Sequence, residues 1–318
     1  MEGYTVVGFV EALSRLPAHL RLLRRLRTAF RMGWYDLVIL VDYPGLNLRL
    51  AAAARRAGIR VLYYIAPQLW AWRPGRARRL ASVVDRLAVV LPFEPDFFAS
   101  VGVKADFVGH PLADRPWPDR HTARATLGLA PAERVLAILP GSRGQEIDRL
   151  WPAFRDTGQR ALAEQLCDRV VVAGTPEADY PGAEGLLVHR SHEAGTALAA
   201  ADAALVKSGT STLEAAMTGT PMVVAYRVHP LTAALARSLV TVPWISLVNL
   251  VAGREVVPEL VQRACTVEAL FARLRPLLDP ESIEARTQRH ALELVRARLS
   301  WPGAAERVAG LAGELLAA

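Results

Sequence analysis

Short apolar runs alternate along the chain with segments whose apolar residues recur every three or four positions. The runs at 36–42 (DLVILVD), 60–66 (RVLYYIA), 86–92 (RLAVVLP) and 103–109 (VKADFVG) predict strands. The patterns at 46–58, 73–83 and 94–100 predict helices between them, with Gly58 closing the first. The stretch 109–121 carries three prolines and several charges and breaks the rhythm, which predicts a linker. The alternation then resumes. Strands are expected at 134–140, 169–174, 185–190, 201–207 and 221–226, and helices at 144–164 and from Thr210. From Thr266 onward the pattern is helical, with a break at Trp301-Pro302-Gly303. Strands that are apolar almost throughout, separated by helices, indicate parallel sheets covered on both faces. The expected class is α/β, built as two successive Rossmann-like domains.

The amino-terminal segment has a different character. Val10, Leu13, Leu16, Leu20, Leu23, Leu26 and Phe30 fall at helical spacing, among Arg15, Arg21, Arg24, Arg25, Arg27 and Arg31. Pro17 interrupts the pattern and predicts two helices rather than one. Such a segment fits an ordinary surface helix packed on a sheet, and it also fits a basic amphipathic element lying on a membrane. No membrane-crossing helix is expected, because the longest uncharged stretch, 238–253, is short and contains Pro243, Ser246 and Asn249. The opening Met1-Glu2-Gly3-Tyr4 does not read as a signal peptide.

Composition narrows the class further. The 318 residues, 52% hydrophobic, allow one large or two medium domains with a substantial core. Cys167 and Cys265 lie far apart, which excludes a disulfide framework or a cysteine zinc cluster and suits a reducing cytoplasm. The formal net charge is +7, and Lys104 and Lys207 are the lysines in an otherwise arginine-based set. A basic excess suits phosphates or acidic lipid headgroups. With no zinc-finger spacing and no RNP-type aromatic motif, no nucleic-acid partner is expected.

Four stretches carry candidate chemistry. In LPGSRGQE (139–146), Gly141 and Gly144 let backbone amides approach an anion at a helix start, beside Ser142. Arg143 adds forked donors suited to a diphosphate, although a strand-to-helix turn capped by serine fits the same residues. The stretch lacks the lysine and spacing of a P-loop, so nucleotide hydrolysis is not indicated. In KSGTSTLE (207–214), Ser208, Gly209 and Thr210 form a second phosphate-friendly helix start. There Glu214 fits a grip on ribose hydroxyls or a favourable acid near the helix start. Two such loops in one Rossmann-like domain point to a nucleotide. Asp42 ends a buried strand at the edge where open α/β sheets place ligands, as a general base, a hydroxyl-orienting group or a simple helix cap. Asn249, in an apolar run, fits a sugar or phosphate contact or the hydrogen bonding of its own loop. His110 has no second histidine at ligand spacing, so it reads as a cleft or hinge residue and no metal is expected.

Taken in order, VVGFVEAL, LVDYPGLN, APQLWAWR, LPFE, FVGHPLAD, LPGSRGQEI, KSGTSTLEAA and SLVNLVAGREVVPEL closely resemble the lipid-A-disaccharide synthase family over nearly the whole chain. The resemblance implies a GT-B fold of two facing Rossmann-like domains. Residues 1–114, completed by helices in 290–318, would form the acceptor side, and 115–289 the UDP-sugar side. It implies an inverting transfer from UDP-2,3-diacylglucosamine to 2,3-diacylglucosamine 1-phosphate, giving a β-1,6-linked disaccharide phosphate and UDP, without cofactor or metal. By the same resemblance Asp42 is the catalytic aspartate, and Arg143 and Asn249 hold the UDP-sugar. Gly141, Ser142, Ser208, Gly209, Thr210 and Glu214 fit the phosphate and ribose contacts. Acylated substrates imply peripheral association with the inner face of the cytoplasmic membrane, and a homodimer is compatible with the family. The family's Gly-rich opening unit is not in the sequence, so the first domain is expected to be truncated at its amino terminus. Two other readings stay open: a non-catalytic or fragmentary UDP-binding homologue, and another UDP-sugar-dependent GT-B transferase.

Overall fold

The computed structural model describes residues 9–72, 74–191, 194–237 and 240–318. The chain divides into two compact units, residues 1–111 with 302–318 and residues 112–301. In the first, α1 (Phe9–Arg31) leads into β1 (Leu37–Val41), α2 (Pro44–Arg56), β2 (Arg60–Tyr64), α3 (Leu69–Trp72), α4 (Ala77–Ala81), β3 (Arg86–Val89), α5 (Glu94–Ser100) and β4 (Asp106–Phe107). The sheet order is β1-β2-β3-β4 and every pairing is parallel. The inner strands bury Val61, Leu62, Tyr63, Leu87, Ala88 and Val89 almost completely, which is why they are apolar at successive positions. By contrast β1 is an edge strand among the described residues, with Ile39 46% and Val41 50% exposed.

One helix, not two, runs through Pro17. Past the proline, Leu22, Leu23, Leu26 and Phe30 pack on the core formed with α2 and the sheet. Burial of several large side chains outweighs the roughly 3 kcal/mol that an interior proline costs a helix. The side chains of Val10, Leu13, Arg15 and Leu16 lie outside the described residues.

The second unit contains α6 (Arg120–Leu127), β5 (Val135–Leu139), α7 (Gly144–Ala163), β6 (Arg169–Gly174), β7 (Leu187–Arg190), α8 (Gly195–Ala200), β8 (Ala203–Lys207), α9 (Thr210–Thr218), β9 (Met222–Tyr226), α10 (Pro230–Arg237), α11 (Leu247–Ala252), β10 (Glu259–Val261), α12 (Val267–Leu274) and α13 (Ile283–Leu299). The sheet is again all parallel, in the order β10-β9-β8-β5-β6-β7. From β5 the chain steps to β6 on one side, and from β8 it steps to β9 on the other. The strand order therefore reverses between β5 and β8. Helix α6 begins inside the expected linker, because the Asp119 side chain accepts from the Thr122 amide at 2.8 Å and caps it. The short edge strand β10 has no separate apolar run to announce it in the sequence.

The last helix, α14 (Ala304–Ala317), belongs to the first unit, where it packs against β1 and β2. Arg307 Nε donates to the Val108 carbonyl at 2.8 Å, and Arg86 pairs with Glu314 at 3.2 Å. The return begins at Pro302 rather than near 290. Helix α13 buries Leu292, Val295 and Leu299 in the second unit, and Arg298 donates to the Val251 carbonyl at 2.6 Å. The chain turns away only where Pro302 and Gly303, the latter at φ +87°, end that helix.

At the amino edge of the second sheet, Asp202 ties three segments together. Its carboxylate accepts from the Val135 amide (2.8 Å), from Arg124 (3.2 Å) and from Arg120 (2.5 Å). Arg124 is itself buried and also donates to the carbonyls of Ala200, Ala130 and Pro131. Removing the acid would strand a buried guanidinium and a strand amide. Asp202→Ala is therefore expected to lower stability by about 3–5 kcal/mol, read from the shift in the urea unfolding midpoint.

Candidate functional site

Between the carboxyl ends of β5 and β8 lies a cavity of about 280 Å³, close to the lower end of the size range of small-molecule sites. It sits where the strand order reverses, the position at which open α/β sheets leave room for a ligand. Leu139, Gly141, Ser142, Arg143 and Glu146 line it from the β5–α7 connection. Lys207, Gly209, Thr210, Ser211 and Glu214 line it from β8–α9, and Thr175 and Ser191 from the exits of β6 and β7. The amino termini of α7 and α9 open here; the leading amides of a helix find no acceptor within it, and the third ones bond back, Glu146 to the Arg143 carbonyl and Thr212 to the Gly209 carbonyl. Positive helix poles and free N–H groups favour an anion at this place.

Local sequence explains the geometry. Gly141 stands at φ +122°, and a Cβ there would come within 2.8 Å of Glu146 Oε2 and 2.9 Å of its Cβ. Only glycine lets the loop close so tightly over the first turn of α7. Glu146 Oε1 accepts from Lys207 Nζ at 2.8 Å and from Arg143 Nη1 at 3.2 Å. One acid thus spans the two cations, one from each loop. Glu214 is mostly buried and pairs with Arg115 at 3.2 Å, whose guanidinium lies 5.0 Å from the Trp117 ring. The Tyr226 ring centre is 6.0 Å from Lys207 Nζ. Burial pushes the Tyr226 phenol up, and the neighbouring Glu146 carboxylate adds to this.

Of the residues expected to hold a nucleotide sugar, Gly141, Ser142, Arg143, Gly209, Thr210 and Glu214 come together around this cavity. Two do not. Ser208 is buried, its amide donates to the Ala225 carbonyl at 2.9 Å, and its hydroxyl donates to the Ile245 carbonyl at 2.8 Å. Asn249 is fully buried and its amide group is fully committed to its own loop. Its Nδ2 donates to the Val257 carbonyl (3.0 Å) and to Glu259 Oε1 (2.8 Å). Its Oδ1 accepts from the amides of Val256 (2.8 Å) and Val257 (3.0 Å). Both residues hold the 245–259 segment in shape instead of facing the cavity. Glu146, Thr175, Ser191, Lys207 and Ser211 are polar cavity residues that the sequence reading missed. The signal for Lys207 was present: a lysine closing the apolar run ADAALVK in a chain that otherwise uses arginine.

In the first unit, Asp42 follows β1 at the carboxyl edge of its sheet and is exposed. Asp42 and Tyr43 both adopt left-handed backbone, at φ 46° and 44°, before Pro44 opens α2. Side chains hold this strained corner. Tyr63 Oη and Asn47 Nδ2 donate to the Asp42 carbonyl at 2.6 and 2.8 Å, Asn47 also reaches the Val41 carbonyl, and Tyr43 Oη meets His19 at 2.9 Å. The backbone is pinned while the carboxylate stays open to solvent. His110 is buried, and loss of hydration brings its imidazole down to about 4, so it is neutral at neutral pH. Among the described residues, no three His, Cys, Asp or Glu side chains gather as they would for a metal ion.

A family model described as Lipid-A-disaccharide synthetase matches residues 1–300. A curated lipid-A-disaccharide synthase from Anaeromyxobacter dehalogenans is 43% identical over 317 residues, covering 97% of this chain and 82% of that protein. Among solved structures, the glycosyltransferase of kitacinnamycin aligns with a TM-score of 0.62 at 18% identity, over 99% of this chain and 84% of the other. A UDP-GlcNAc 2-epimerase from Neisseria meningitidis, bound to UDP-GlcNAc, aligns with a TM-score of 0.61 at 12% identity, over 94% and 81%. At such identities these structures speak for the fold alone: α/β with two parallel sheets, as in GT-B transferases and these epimerases.

The committed hydrogen bonds of Asn249 give a test of its place in the molecule. Asn249→Ala leaves the Val256 and Val257 amides and the Glu259 carboxylate short of partners, each such loss costing about 1–3 kcal/mol. The expected result is a fall in stability of at least about 2 kcal/mol by urea unfolding. A large loss of ligand binding at unchanged stability would instead put Asn249 at the ligand.

Proposed function

We infer, for a chain that belongs to the lipid-A-disaccharide synthetase family and is accordingly a glycosyltransferase of lipid A biosynthesis, that the cavity of the second unit holds UDP-2,3-diacylglucosamine and Asp42 serves the acceptor. The observation that carries this reading is the pairing of Arg143 and Lys207 with two helix amino termini at the reversal of strand order. A diphosphate needs fixed positive charge and N–H donors, and both are there. Gly141, Ser142, Gly209 and Thr210 offer backbone amides and hydroxyls to the phosphates. Glu214 keeps a carboxylate at the cavity wall for the ribose.

The 6-hydroxyl of 2,3-diacylglucosamine 1-phosphate gives its proton to the Asp42 carboxylate, and its oxygen attacks C1 of the donor sugar. The bond from C1 to the β-phosphate oxygen breaks, and UDP takes the electron pair. Attack opposite the leaving group inverts C1 and leaves a β-1,6 linkage. Arg143 and Lys207 stabilise the negative charge that grows on the diphosphate, where preplaced charges act most strongly. The left-handed corner at Asp42 and Tyr43 keeps the base open to solvent while its backbone is fixed.

Both sugars carry acyl chains, so the same reading includes contact with a membrane surface. Among the described residues no helix is long and apolar enough to cross a membrane. What supports surface binding is α1, where Arg21, Arg24, Arg25, Arg27 and Arg31 are exposed, and the turn after it, where Met32 is 61% and Trp34 66% exposed. Each arginine close to anionic lipid contributes on the order of 1 kcal/mol, reduced by salt.

Release of UDP from the two acylated sugars tests the chemistry. Arg143→Ala is expected to lower kcat/KM by roughly 10²-fold or more, and Asp42→Asn to lower kcat by about 10²–10⁴-fold with donor binding retained. Parent-like turnover in either variant would remove that residue's role. Co-sedimentation tests the surface: anionic vesicles are expected to retain the protein at low salt and release it at high salt, with neutral vesicles retaining little.

A further inference from the structure

The proposed transfer calls for positive charge around the diphosphate, yet the cavity also contains a carboxylate in contact with both cations. Glu146 Oε1 takes Lys207 and Arg143, while Oε2 is buried with no hydrogen-bond partner among the described residues, against the Gly141 backbone. Three other buried or half-buried carboxylates are satisfied at both oxygens. Asp202 accepts from Val135, Arg124 and Arg120. Glu259 accepts from the amides of Ile245 and Ser246 and from Asn249. Glu94 accepts from Trp70 and the amides of Val90 and Leu91. Glu146 sits at the third position of α7, where a glutamate often turns back to bond the amide of the capping residue. It reaches for Lys207 on the other loop instead. A carboxylate placed only to brace the fold would not leave one oxygen unbonded in a buried site.

We propose that Glu146 is a positioning residue that acts through Lys207 and Arg143, holding both cations when the cavity is empty and weakening their grip on the UDP product. The proposal rests on the reading of this cavity as the UDP-sugar site. Its logic is electrostatic. A bound diphosphate must share the two cations with a carboxylate a few ångströms away, so like charges face one another in a partly dry site. The donor's diphosphate is esterified at both ends. Once C1 departs, the terminal phosphate gains a free oxygen and a further ionisable site, so UDP carries more negative charge than the donor. Repulsion from Glu146 therefore weighs more on the product than on the substrate. One carboxylate both aligns the cations for an arriving donor and favours departure of what the reaction leaves behind.

This gives the substitution an unusual sign. Glu146→Gln keeps the shape and a hydrogen-bonding oxygen but removes the charge. By calorimetry it is expected to bind UDP roughly tenfold more tightly than the parent, and the acylated donor only a few-fold more tightly. Turnover should fall, with UDP inhibiting at correspondingly lower concentration. In a Lys207→Met background the same substitution should have a much smaller effect on UDP affinity, as expected for a residue acting through that lysine. UDP binding by Glu146→Gln that is equal to or weaker than the parent's overturns the proposal, and so does an undiminished effect in the Lys207→Met background. Thermal melting of the same samples reports folding. Should the glutamine variant not fold, Glu146→Asp, which draws the carboxylate back by one methylene, is read in its place, and UDP affinity at or below the parent's is again the refuting result. A parent chain that binds no UDP refutes the reading of the cavity itself, an outcome distinct from failure of the glutamate's role.

Discussion

Two neighbouring parallel strands whose chains depart in opposite directions cannot cover each other's exit. That constraint governs the second unit. From β5 the chain goes to α7 and β6, and from β8 it goes to α9 and β9, so the connections diverge and a gap remains above the sheet. Right-handed crossovers then put α7 and α9 on opposite faces. Both helices nevertheless begin at the rim of the same gap, so two positive poles and two glycine-bearing loops converge there. No side chain creates this site. Side chains tune what the topology leaves open.

The two edges of that sheet show how differently buried charge is used. At the amino edge Arg124 and Asp202 form a closed set in which both carboxylate oxygens and most guanidinium donors have partners, and the result is a rigid joint between α6, β5 and β8. At the carboxyl edge Arg143, Lys207 and Glu146 form an open set with one oxygen unbonded and the loops shaped around glycine. A closed network specifies a structure. An open one is ready to exchange partners with a ligand, and it suits the mouth of a cavity for that reason.

The α/β class, the order of strands and helices and the cavity loops were legible in the sequence, because a strand buried on both faces has to be apolar throughout and a glycine-bearing loop following it stands out. Gly141, Arg143, Gly209, Thr210 and Glu214 could be found in this way. Ser208 and Asn249 could not be placed, since what their polar atoms do depends on Ile245, Val257 and Glu259, and local sequence does not say which distant donor or acceptor lies close. Lys207 was hidden in a motif read for its hydroxyls and glycine. The uninterrupted α1 shows tertiary packing overriding a strong local signal at Pro17. The boundary at Pro302 shows the reverse, a helix that runs until proline and glycine stop it.

The edge strand β1 carries a consequence of its own. Its pairing within the sheet is with β2, and beside its outer row of amides and carbonyls Ile39 and Val41 are about half exposed. An apolar edge of this kind is a template for another strand, including the same strand of another copy. Asp36 and Asp42, both exposed, bracket it. In parallel, in-register pairing of two copies, each aspartate would face its own image, and the two repulsions would oppose the match. The carboxylate proposed to take the acceptor's proton thus also sets a charge at the end of an apolar edge. A variant that neutralises Asp42 loses that charge along with the proposed base, so its solubility belongs beside its turnover.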